Sequence, residues 1–130
     1  MSMQVLSLLN HIFPFVLNFI FPFVMVLVGV ILKKHPASDM NSQNGYNTPT
    51  SRESKAHWDY AQKIAPDIYI SLGKYLFMAE IIASVTLLIL QVSIQISLSV
   101  GTFIGIVFLS YGFYHTDRQI IEKFRDKQTR

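Results

Sequence analysis

The stretch "VLSLLNHIFPFVLNFIFPFVMVLVGVIL", Val5 to Leu32, contains no Asp, Glu, Lys or Arg. A helix needs roughly 20 apolar residues to cross about 30 Å of hydrocarbon. This segment therefore decides the class of fold, because its solvent is a bilayer. Two further apolar stretches follow, at about Tyr69 to Leu90 and about Ile96 to Tyr114. In a chain of 130 residues that is 51% hydrophobic and 15% charged, a single small soluble core could not hide so much apolar surface. The expectation is an all-α integral membrane protein, a single membrane domain over 1–130: helix 1 at about 5–32, a loop at 33–68, helix 2 at about 69–90, helix 3 at about 96–114 and a tail at 115–130. No Lys or Arg precedes the first apolar run, which is also longer than the core of a secretory signal, so it is expected to stay in the mature chain.

Lys33, Lys34, Arg52, Lys55, Lys63 and Lys74 lie in or at the edges of the first loop; Arg118, Lys123, Arg125, Lys127 and Arg130 lie in the tail. These are all eleven cations, and the N-terminus and the turn at Gln91 to Gln95 have none. The positive-inside rule then predicts an external N-terminus with a cytoplasmic loop and tail. The tail cations alternate with Asp117, Glu122 and Asp126, a poor footprint for phosphate, so no nucleic acid is expected and anionic lipid headgroups are the nearer partner. With no cysteine there is no disulfide, thiolate nucleophile or thiolate metal site. His11, His35, His57 and His115 lack the paired spacing of a zinc helix, and no nucleophile elbow is present. No enzyme, metal or cofactor is expected.

The first helix holds a near repeat, "IFPFVLN" at Ile12 to Asn18 and "IFPFVMV" at Ile20 to Val26, whose two prolines should kink or loosen it. Helical spacing puts His11, Pro14, Asn18, Pro22, Met25 and Gly29 on one stripe, a packing seam or a ligand-contacting groove facing protein. Gly73, Glu80, Ser84 and Gln91 share a face of the second helix. Glu80, an acid within an apolar helix, is a functional candidate by default; the alternative is anchoring near the interface, since Lys74 lies about 9 Å away along the axis. A proton-coupled exporter built on Glu80 would want four spans. In the third helix Ser97, Gly101, Gly105 and Gly112 favour close approach of another backbone.

The loop "HPASDMNSQNGYNTPTSRES" is rich in Pro, Ser, Asn and Gly, with turn chemistry at Asn44-Gly45 and Thr48-Pro49. Thr50 and Glu53 have capping-box spacing, which predicts a short helix from near Ser51 to about Ile64, stopping before Pro66. Trp58, Ala61 and Ile64 would lie along the membrane surface, making this an interfacial helix.

These residues carry a family resemblance. An Asn, three residues, a Gly, an aromatic, a Thr-Pro pair, further hydroxyl residues and a Trp thirteen after the Gly resemble the signature of the SdpI family of bacterial membrane immunity proteins. Asn41, Gly45, Tyr46, Thr48, Pro49, Ser51, Ser54 and Trp58 hold the matching places, Ala61 follows, and the tail "HTDRQIIEKFRDK" is similar to the family's ending. The chain departs from the pattern at Asn47, where the family usually has Arg, and Arg52 is the nearest replacement. The resemblance implies a multi-pass protein of the bacterial cytoplasmic membrane that protects a producer cell against a membrane-active peptide toxin or bacteriocin, with signalling through a repressor in some relatives. It implies a binding site at Asn41, Gly45, Tyr46, Thr48, Ser51 and Trp58, to which Glu80 is added from its own chemistry. The competing reading is a non-catalytic accessory subunit of a larger membrane transporter or sensor complex.

The charge distribution makes a topological prediction. A reporter fused after Arg130 should behave as cytoplasmic and one inserted between Gln91 and Gln95 as external; the reverse at either point contradicts three spans in this orientation.

Overall fold

A computed structural model describes residues 2–128; the side chains of His11 and of residues 126–128 lie outside the description, and with them the expected seam position of His11 and the tail charges Asp126, Lys127 and Arg130. The described residues form α1 (Met3–Asn18), α2 (Ile20–Lys34), α3 (Lys55–Ile89) and α4 (Ile94–Gln128), with no strand among them. The first two, separated by one residue, make one span, so three segments are long and apolar enough to cross a membrane: Met3–Lys34, Lys55–Ile89 and Ile94–Arg125. The chain is an all-α, multi-pass membrane protein.

The hydrogen-bond ladder is interrupted at Phe19, whose φ of −82° and ψ of −5° stay helical, and Pro22 accounts for the interruption. A proline has no N–H to give the carbonyl four residues back, here that of Asn18, and its ring crowds that turn. Pro14 passes through α1 without ending it. The two halves pack differently: α2 lies mainly along α3, while α1 leans mainly on α4. The seam between α2 and α3 is built on two staggered glycines. A Cβ on Gly29 would stand 2.7 Å from Ile70 Cγ1 and 3.0 Å from the Pro66 carbonyl; one on Gly73 would stand 2.6 Å from Val26 Cγ2 and 3.2 Å from the Pro22 carbonyl. Each glycine thus lets the other helix's backbone approach, which supplies the packing that apolar burial cannot supply in lipid. The stripes expected to face protein do so. Pro14, Asn18, Pro22, Met25 and Gly29 are buried, as are Gly73, Glu80 and Ser84 on α3 and Ser97, Gly101, Gly105 and Gly112 on α4. Gln91 lies beyond the end of α3 and is exposed.

Two boundaries differ from expectation. The segment expected as a separate interfacial helix is helical, but it forms the first turns of α3 and continues through Pro66 into the span. Pro66 is buried against α2, its carbonyl facing Gly29, and packing on a neighbouring helix holds the helical course that local propensity would break. Trp58 and Ala61 are fully buried and so do not lie along a membrane surface. The helix starts later than the capping-box spacing predicted, because Ser54 is the cap, its Oγ accepting from the His57 N–H at 3.1 Å. The tail expected beyond Tyr114 is likewise a continuation of α4.

Helices of 35 residues are about 52 Å long at 1.5 Å per residue, against about 30 Å of hydrocarbon. The surplus of α3 and α4 projects together from the cationic end of the bundle. There it forms a second small core of Tyr46, Ala61, Ala65 and Ile120, flanked by Tyr60, Ile64, Tyr69 and Phe124.

Candidate functional site

The loop between α2 and α3, residues 35–54, has no regular secondary structure, yet it is fastened along its length to the projecting helices. Gly45 opens the clasp with φ +80°, a left-handed conformation that disfavours any side chain, and a Cβ there would run into the Gln62 amide. The next residue is held from both sides by that amide. The Tyr46 N–H donates to Gln62 Oε1 at 2.9 Å, and Gln62 Nε2 donates to the Tyr46 carbonyl at 2.7 Å. Buried between helices, these backbone groups would each cost roughly 1–3 kcal/mol if left unpaired.

Asp117 on α4 closes the clasp. Its Oδ1 accepts from the Tyr46 hydroxyl at 2.8 Å and from the Thr48 hydroxyl at 2.8 Å, with the Phe113 carbonyl 3.0 Å from the same tyrosine oxygen. Thr48 and Ser51 then brace each other: the Thr48 N–H donates to Ser51 Oγ at 2.9 Å and the Ser51 N–H to Thr48 Oγ1 at 3.2 Å. This reciprocal turn occupies the place where the helix start was expected. At the far end the indole N–H of fully buried Trp58 donates to the Ala37 carbonyl at 2.8 Å, pinning the loop's approach strand of chain.

Of the residues expected to form the site, Gly45, Tyr46, Thr48, Ser51 and Trp58 come together in this clasp. Asn41 does not join it: it is exposed at the rim, its N–H donating to Asp39 Oδ1 at 2.9 Å. Glu80 belongs elsewhere, buried within the bundle with no hydrogen-bond partner for either oxygen. Lys74 is exposed and gives neither Glu80 oxygen a hydrogen bond. Arg52 lies beside Asn47, donating to the Met40 carbonyl at 2.9 Å and to Asn47 Oδ1 at 3.5 Å, with its guanidinium 5.9 Å above the Trp58 ring.

Gln62 and Asp117 are the residues that sequence reading missed. No sequence signal singled them out: the loop carries acids of its own in Asp39 and Glu53, and Ser51 Oγ donates within the loop to the Thr48 carbonyl at 2.9 Å. Beneath the clasp an apolar cavity of about 290 Å³ opens between Met25, Gly29, Tyr46, Ala65, Tyr69 and Phe113. Among the described residues no three of His, Cys, Asp or Glu are grouped to hold a metal ion.

Burial, and next the hydrogen bond to the Asp117 carboxylate, hold the Tyr46 phenol well above its ordinary value. A raised phenol contributes stability that is complete below the unfolded pKa of about 10 and is lost as pH rises beyond it, because only the opened loop ionises readily. Trp58, the only tryptophan, reports on the loop. Its emission should stay at short wavelength up to about pH 10 and shift red above it, and Tyr46→Phe should flatten the shift.

The comparisons with known proteins add one finding. The family model described as the SdpI/YfhL protein family matches residues 38–113, from the loop through α3 and most of α4. No curated protein and no solved structure matches the chain. The match covers more than half of the chain and contains every residue of the clasp except Ala37, whose carbonyl receives the indole, and Asp117: the chain belongs to the SdpI/YfhL protein family.

Proposed function

We propose that this chain is a membrane immunity protein of the bacterial cytoplasmic membrane, protecting its producer against a membrane-active peptide toxin or bacteriocin. Family membership supports the reading, and the observation that carries it is the clasp. Residues 35–54 form a long loop without regular structure, and loops of more than about 12–15 residues inside compact domains are usually functional or disordered. This one is tied down by buried hydrogen bonds from both α3 and α4. Ordering it costs conformational entropy on the order of 1–2 kcal/mol per residue, an outlay that a mere connector has no use for.

In this reading the N-terminus lies outside and the clasp lies on the cytoplasmic side. The exposed rim of Asn41, Asn47 and Arg52 presents amide and guanidinium groups to a partner there, a repressor or another membrane protein. Tyr46, Thr48, Ser51 and Trp58 act by shaping that rim, since each is already engaged within the clasp. Basic side chains around it, among them Lys34 and Lys63, face anionic lipid headgroups.

Expression in a sensitive strain, challenged with the peptide toxin encoded beside the gene, tests the proposal. Asp117→Leu removes the acceptor shared by Tyr46 and Thr48. At equal membrane abundance it should raise sensitivity at least tenfold and shift Trp58 emission red, whereas Val85→Ala on the exposed face of α3 should change neither. Full protection by the Asp117→Leu protein would overturn the role of the clasp, and absence of protection by the unaltered chain would overturn the immunity reading.

A further inference from the structure

At the cationic end α2 and α4 each pack on α3 but barely on one another, and the apolar cavity beneath the clasp lies in the space between them. α2 lines it from Val24 to Leu32 and α4 with Leu109 and Phe113, and no lining residue carries a charge. Val24 and Val28 are 44% and 45% exposed on the membrane-facing surface of the bundle, so the cavity is a groove open to hydrocarbon and not an enclosed void. From Val24 to Leu32 it runs roughly 12 Å along the helix, and it ends under the loop at Gly45, Tyr46 and Asn47.

The loop adds a polar end to this apolar groove. Asn47, one of its lining residues, is exposed, and Arg52 Nη1 stands 3.5 Å from the Asn47 amide oxygen. Among the described residues Lys33, Lys55, His57 and Arg118 each have an Asp or Glu within ion-pair distance, and Arg52 has none. Both of its hydrogen bonds, to Asn47 and to the Met40 carbonyl, leave from Nη1, so Nη2 and Nε remain free to donate. Asp117, the acid within the clasp, is already engaged by the hydroxyls of Tyr46 and Thr48. A guanidinium with unspent N–H groups and no counter-charge is a planar fork suited to the oxygens of a phosphate.

We propose that this groove binds one anionic phospholipid. An acyl chain lies along α2 between Val28 and Leu109, and the phosphate sits at the loop, where Arg52 donates to it beside the Asn47 amide. Three observations favour a lipid as the occupant: the groove opens to hydrocarbon, its walls carry no charge, and its unpaired cation stands at the end where headgroups lie. Basic pockets between membrane helices hold anionic headgroups in this way. The site goes beyond the immunity reading and does not depend on it; it adds a headgroup to the rim that is proposed to meet a partner.

Photolabelling of the full chain in phosphatidylcholine nanodiscs tests the site. The probe is a trace of phosphatidylglycerol with a diazirine on its acyl chain, and diazirine phosphatidylcholine is the reference. Phosphatidylglycerol label between Val24 and Leu32 and at Leu109 should exceed phosphatidylcholine label at least fivefold, and unlabelled phosphatidylglycerol should suppress the excess. Arg52→Gln should remove it, whereas Lys123→Gln, which takes the same charge from an exposed position on α4, should leave it. Equal labelling by the two lipids on the unaltered chain overturns the proposal whether or not Arg52→Gln inserts, as does an excess that survives Arg52→Gln or resists unlabelled lipid. Loss of the excess in Lys123→Gln as well would assign it to the basic surface as a whole and overturn the site. Suppression by glycerol 3-phosphate would show an anion site with no need of a chain and would overturn the lipid as its occupant.

Discussion

One carboxylate oxygen on α4 receives two hydroxyls from a loop that precedes it by some seventy residues: Asp117 Oδ1 accepts from both Tyr46 and Thr48. Almost everything specific to the cationic end of the molecule depends on that double acceptance. It fixes Thr48 for its exchange with Ser51, and it holds the Tyr46 ring against Phe113, with centroids 5.6 Å apart. It also places the Tyr46 backbone where Gln62 can satisfy both its N–H and its carbonyl. A charged acceptor strengthens each hydrogen bond relative to a neutral one. The loop is thereby part of the same rigid body as the ends of α3 and α4, and the three span-forming segments are coupled outside the membrane as well as within it.

Within the membrane the coupling is steric. Gly29 and Gly73 bring α2 onto α3, while α1, beyond the break at Phe19, packs on α4. The bundle is consequently asymmetric along its axis. At the cationic end helices, loop and tail pack on one another above the groove; at the other end a cleft opens between α1 and the turn that joins α3 to α4, and the polar residues that line it carry no charge.

The spans and their inward faces were legible in the sequence because a bilayer imposes length and a helix imposes period. The stripe from Pro14 to Gly29 and the glycines of α4 are examples: small or polar residues recurring at three and four positions had no reason to face lipid. Five members of the clasp, Gly45, Tyr46, Thr48, Ser51 and Trp58, were legible from turn chemistry and resemblance, but Gln62, Asp117 and the architecture were not. Trp58 resembles an interfacial anchor by type, and only the position of the Ala37 carbonyl shows that its N–H is spent internally. Pro66 resembles a helix stop because local propensity cannot register the packing of α3 against α2 at Gly29. Asp117 looked like one acid among alternating tail charges, since a contact across so much of the chain leaves no periodic trace. Glu80 could be singled out as a buried acid, yet its lack of any partner, Lys74 included, is a fact of three dimensions.

The central claim, that the loop is held by the shared acceptor on α4, is tested most directly by a double-mutant cycle between Tyr46→Phe and Asp117→Asn. The free energy of loop opening would be read from Trp58 emission during denaturant titration in nanodiscs. Residues joined in one hydrogen-bond network show interaction energies of about 0.5–3 kcal/mol in such cycles. The account predicts a coupling in that range, so that each substitution costs little once the other is present. Additive costs, within about 0.3 kcal/mol, would show that Asp117 does not hold the loop and would contradict the account.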